Sequence, residues 1–300
     1  MKPGRNCPVS YHYGASVLDR VDFSVDTLWV AGGLYGNPFA LERLLELYED
    51  EPGPKALVFN GDFHWFDIED FAAIDDVIHR HKATRGNIET ELAAPAEGAG
   101  CGCGYPEWVD DATVARSNRI IEGLRGAVTR AARERLAALP MHLVAEVAGE
   151  RVAIVHGDAD SLAGWGFSQE ALATPAGRRA AHAAFDAAKA RTFASSHTCL
   201  PVMARFPGER VLVNNGSLGM PNFQGTTFGL ATRISVRPGE SLYAQRAAGL
   251  HVEAVAIDYD AAAWRRRFVA QWPEGSDAHR SYYQRIVGGP RYSPGQAAAA

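Results

Sequence analysis

The sequence has no apolar run of the roughly 18–20 residues that a membrane-spanning helix needs. Its first residues, MKPGRNCPVSYHYG, carry charge but no apolar stretch behind it. No secretory signal is therefore expected, and the expected compartment is the cytoplasm. An excess of one charge is also missing. A net charge of −5 over 300 residues is too mild to indicate a phosphate-backbone partner, and no nucleic-acid patch is evident. Cysteine is scarce. Cys7, Cys101, Cys103 and Cys199 are too few and too unevenly spaced for a disulfide framework, so reduced thiols are expected. A last absence is local. The stretch LWVAGGLYGNPFALERLLEL, residues 28–47, reads as a buried strand, a tight glycine loop and a helix, the kind of junction that holds ligands. Its tip, Gly33 to Asn37, nevertheless has no carboxylate, imidazole or thiol.

What is present reads as an ordinary folded protein: 47% apolar and 22% charged residues, in a chain long enough to bury a sizeable core. Strands are expected at TLWVAG, KALVFNG, MHLVAEV, RVAIVHG, RTFASSH, RVLVNNG, TTFGLATRISV and LHVEAVAID. Helices are expected at NPFALERLLELYED, IEDFAAIDDVIHRHKA, TPAGRRAAHAAFDAAKA and DAAAWRRRFVAQW, with one long helix over residues 113–139. Strands that alternate with helices argue for α/β layers, and the later strands follow one another closely, as antiparallel or mixed strands do. The segment AAPAEGAGCGCGYPEWVDD, residues 93–111, looks like part of an insertion over one face of the core. The tail GGPRYSPGQAAAA is low in complexity, and fraying is expected there.

Ligands in open α/β sheets sit beyond the carboxyl ends of strands. ALVFN runs into Gly61-Asp62-Phe63-His64, RVAIV into His156-Gly157-Asp158 and RTFASS into His197-Thr198-Cys199, while Gly86-Asn87 forms another tight corner. Four separate segments thus deliver Asp, Asn, His and His, a donor set suited to a divalent transition metal. Each alone has an ordinary structural explanation: a strand-end Asp caps a turn, and a lone His packs in a core.

In order, these stretches resemble the calcineurin-like metallophosphoesterase family. Its motifs D-x-H-G-N, G-D-x-x-D, G-N-H-E, H-G, G-H-x-H and N-x-G-S meet GLYGN, GDFHW, GNIE, HGD, SHTC and NNGSLGMP here. The resemblance spans about residues 28–260. It implies a four-layer α/β/β/α sandwich of two mixed sheets, as one domain over residues 1–260 with an insertion at about 92–138, followed by a C-terminal helix and tail over 261–300. It also implies a metal site. Asp62 matches the bridging carboxylate, Asn87 the asparagine ligand, and His156 and His197 the two histidines of one ion. The second ion's Asp, His and late His correspond to Gly33, Tyr35 and Cys199, and the histidine that assists the leaving group corresponds to Ile88.

The resemblance therefore implies one complete site for a divalent ion (Mn, Fe, Zn or Ni) and an incomplete second one. His64 and Cys199 are candidate substitute ligands, and Cys101 and Cys103 reach the site if the insertion folds as a lid. Glu89, Asp158 and Asp160 read as supporting or turn residues. The function implied is hydrolysis of a phosphate mono- or diester, on a small phosphorylated substrate or nucleotide. The alternative is a non-catalytic phosphate- or nucleotide-binding, regulatory protein on the same fold.

Overall fold

A computed structural model describes residues 2–298. Twelve strands form two six-stranded sheets. The first contains β1 (Phe23–Val25), β5 (His142–Val147), β6 (Glu150–Val155), β7 (Thr192–Ser195), β9 (Arg210–Asn214) and β8 (Val202–Phe206), in that spatial order. The second runs β11 (Tyr243–Ala247), β12 (Leu250–Ile257), β10 (Gly229–Ser235), β2 (Thr27–Ala31), β3 (Lys55–Asn60) and β4 (Lys82–Thr84). Both are mixed. β6, β7 and β9 are parallel, as are β2, β3 and β4, while β8, β10, β11 and β12 pair antiparallel to their neighbours.

Side chains alternate across each strand, and here both faces are covered, so the strands read as continuous apolar runs. Leu28, Val30, Ala56 and Val58 of the second sheet pack against Val152, Ile154, Val211 and Val213 of the first. The intervening Trp29, Leu57 and Phe59 face outward, onto a core shared with helix α1 (Pro38–Glu49) and helix α8 (Ala261–Gln271). On the outside of the first sheet, Ala153, Val155, Phe193 and Leu212 meet helix α7 (Pro175–Ala188) through Ala181 and Phe185. The architecture is the four-layer α/β/β/α sandwich.

Several local expectations differ from the structure. The long helix breaks into α4 (Asp111–Leu124), a short 3-10 turn and α5 (Arg130–Ala138). Gly126 weakens the middle, and the Thr129 side chain caps a new start by accepting from the Ala132 N–H. β1, β4, β8 and β11 have no counterpart among the expected strands. After residue 260 there are three helices: α8, α9 (Asp277–Gly288) and α10 (Pro294–Ala298). The tail is not frayed as far as Ala298. Tyr292 stacks on Phe223 and donates to the Pro201 carbonyl at 2.8 Å, and Ala297 is buried. Ala299 and Ala300 lie outside the described residues. The remaining helices are α2 (Phe71–Ile78), α3 (Asn87–Ala93) and α6 (Gln169–Leu172), and among the described residues none is long and apolar enough to cross a membrane.

Candidate metal centre

The carboxyl ends of β2, β3, β6 and β7 converge at one edge of the sandwich. β3 ends at Asn60, and the chain then turns through two left-handed residues, Gly61 (φ 77°) and Asp62 (φ 56°). A side chain at Gly61 would put its Cβ 2.4 Å from His156 Nδ1, and one at Gly86 would put it 2.4 Å from Asp62 Oδ1. Glycine at both places lets the loops close on the carboxylate. Non-glycine residues adopt such a φ rarely, and Glu89 holds Asp62 there. Its buried carboxylate accepts the N–H groups of Asp62 (2.7 Å), Phe63 (2.9 Å) and Gly86 (2.8 Å).

Asp62, His156 and His197 are buried, with one donor atom from each lying within 4.8 Å of the others. His156 donates from Nδ1 to the Asn60 carbonyl at 2.8 Å, and His197 from Nε2 to the Cys103 carbonyl at 2.9 Å. These bonds fix both tautomers. They leave His156 Nε2 and His197 Nδ1 only 3.2 Å apart, with Asp62 Oδ1 3.3 Å from the former. The Asn87 amide donates to the Cys101 carbonyl at 2.9 Å, so its oxygen turns inward, 3.2 Å from His156 Nε2. Two inward-facing ring nitrogens, a carboxylate and an amide oxygen thus share one small space. Burial opposes charge on His156, but the adjacent Asp62 carboxylate and the Asn60 carbonyl hold its pKa above the usual value. Burial likewise opposes the Asp62 charge, and His156 outweighs it, holding Asp62 low. Burial, reinforced by His156, pushes His197 down to about 4. Asp62 and His156 thus favour each other's charged form, and a cation would satisfy the same groups. The donor set fits a divalent transition ion.

The other expected ligands lie elsewhere. His64 is a correction. It is buried, stacks on Phe71 at 3.8 Å between ring centroids, and directs its nitrogens to Asp67 (3.3 Å) and Asp75 (3.6 Å). Packing and two carboxylates claim the ring, so it is not in the cluster. Cys199 is outside it as well: its Sγ lies 2.7 Å from the Tyr35 hydroxyl. Burial pushes both groups up, the Tyr35 phenol well up, so both stay protonated. Cys101 and Cys103 are not reduced thiols but a disulfide, closed around Gly102 at φ 65°. The carbonyls of these two cysteines bond Asn87 and His197, so this loop lies directly against the cluster. Asp158 is a turn residue that accepts from the N–H groups of Asp160, Ser161 and Gly166.

A cavity of about 240 Å³ opens onto Asp62, Asn87 and His197. Its far walls are Trp65, Tyr105, Trp165 and Tyr282, none of which the sequence singled out as a site residue. A larger groove of about 600 Å³ shares no residue with it; Arg233, one of its lining residues, already bonds Glu51 and Glu253 through its guanidinium.

No protein-family profile matches the sequence, and no curated protein does. Solved structures match. A metallophosphoesterase from Sphaerobacter thermophilus superposes with a TM-score of 0.59 at 15% identity, over 89% of this chain and 100% of that one. A hypothetical protein from Pyrococcus horikoshii OT3 gives 0.60 at 16% identity, over 89% and 99%. With two mixed sheets face to face and helices outside, the chain has the calcineurin-like metallophosphoesterase fold.

Proposed function

We propose that the chain is a metal-dependent phosphoesterase that works with one divalent ion, held by Asp62, Asn87, His156 and His197. The observation that carries this reading is the histidine pair. Each ring spends its outer N–H on a backbone carbonyl, and the two inner nitrogens lie 3.2 Å apart, with Asp62 Oδ1 3.3 Å from that of His156. Buried donors left this way call for a cation or a proton. When bound, a divalent ion polarises a phosphoryl oxygen and lowers the pKa of a water at neutral pH. The chain's own residues do the rest. Glu89 fixes the Asp62 loop, Cys101 and Cys103 aim Asn87 and His197 through their carbonyls, and the cavity walls hold the ester and exclude water.

A second reading, a non-catalytic phosphate or nucleotide binder, is favoured by the bonded Tyr35–Cys199 pair and by Ile88, which supply no ligand for a second ion and no group to protonate a leaving oxygen. Hydrolysis of an aryl phosphate monoester and diester with added Mn²⁺ or Ni²⁺ decides between them. The enzyme reading expects turnover that Asp62→Ala abolishes. Its absence under both metals would leave the binder.

A further inference from the structure

We infer that the cavity selects a phosphoester whose organic group is a single planar aromatic ring; this rests on the reading that Asp62, Asn87, His156 and His197 hold the ion. Five aromatic side chains, Tyr35, Trp65, Tyr105, Trp165 and Tyr282, line the space beside the cluster. Trp165 stands edge-on to His197 at 5.5 Å, and Tyr105 tilts against Trp165 at 6.0 Å. Trp65 meets Tyr282 edge to face at 6.3 Å. Polar handles on two of these rings are already engaged: Trp165 Nε1–H donates to the Cys103 carbonyl at 3.0 Å, and the Tyr105 hydroxyl lies 3.1 Å from Ser117 Oγ. What these rings offer a ligand is π-faces and edges.

Among the described residues no lysine or arginine lines the cavity, so an added negative charge there would be desolvated with no cationic side chain in the lining to pair with. The volume of about 240 Å³ is below the roughly 300–1,000 Å³ of drug-sized sites, which suits one ring and one phosphoryl group. At the rim, Trp108 is 61% exposed and meets Trp165 edge to face at 6.2 Å, continuing the aromatic surface outward.

The test is binding, because aryl leaving groups speed hydrolysis whatever the pocket. Mn²⁺-loaded protein is titrated with phenylphosphonate, cyclohexylphosphonate, methylphosphonate and 4-carboxyphenylphosphonate, by calorimetry and tryptophan fluorescence. Phenylphosphonate is expected to bind about tenfold tighter than methylphosphonate. It should also bind tighter than the cyclohexyl and carboxyphenyl analogues. Trp165→Phe should keep the preference, and Trp165→Ala and Tyr282→Leu should each reduce it. Equal binding of phenyl and methyl, a preference that survives both truncations, or no binding at all overturns the inference. Hydrolysis of 4-nitrophenyl phosphate is the separate arm. Ring preference without turnover sustains this inference and removes catalysis, and turnover without ring preference does the reverse.

Discussion

Glu89→Gln is a severe change at a site that never touches the proposed ion. The carboxylate is fully buried and accepts three backbone N–H groups, two at Oε2 (Asp62 and Gly86) and one at Oε1 (Phe63). A glutamine can serve the first two with its carbonyl oxygen. Its NH₂ must then face the Phe63 N–H, donor against donor. One charge-assisted bond is lost, worth about 1.5–3 kcal/mol, and a buried N–H is left without a partner. The expected destabilisation is about 2–4 kcal/mol, read by urea unfolding. Asp62 sits at φ 56° and depends on this support, so metal affinity should fall by about 10–100-fold, as for other groups that orient ligands. A variant within about 0.5 kcal/mol of wild type, with unchanged metal affinity, would refute the argument that Glu89 positions Asp62.

Other outcomes follow from named contacts. Arg233 is buried between Glu51 and Glu253 at 2.6 Å from each, so Arg233→Met should cost about 3–5 kcal/mol by stranding two carboxylates. The bonds to Arg233 hold Glu51 below its ordinary pKa. That stability is present above the unfolded carboxyl value, near 4.3, and is lost as pH falls through the lower folded value. Without Arg233 the stranded Glu51 loses that lowering, so the deficit measured by urea unfolding should narrow toward about pH 4. His156 is held above its usual pKa beside Asp62, and an ion must displace that proton. Metal affinity should be full above the raised pKa and fall about tenfold per pH unit below it, with one proton released in calorimetry. A thiol reagent acting on the unfolded, unreduced protein should find two thiols, Cys7 and Cys199, and all four only after reduction.

Much of this was legible in the sequence because it depends on patterns with a period or an end. β2, β3, β6 and β7 are covered on both faces, so their apolar runs stand out, and Asp62, His156 and His197 lie just beyond three of them. β1, with three residues half-buried or exposed, and β11, which is buried only at its last residue, lack that signal and are defined by their partners. His64 misled because spacing along a loop does not say which way a ring points: Phe71 and two carboxylates decide that. The groups that orient Asn87, His156 and His197 are backbone carbonyls of Cys101, Asn60 and Cys103, which leave no mark in residue identity. The aromatic cavity wall was equally hidden, because Trp65, Tyr105, Trp165 and Tyr282 come from four distant segments.

The most direct test of the account is the metal content of the purified chain after incubation with Mn²⁺ or Zn²⁺ and removal of excess, counted by mass spectrometry and located by anomalous scattering. The account predicts one ion per chain, beside Asp62, Asn87, His156 and His197, and none in Asp62→Ala. No ion, or two ions with the second held at Tyr35 and Cys199, would contradict it.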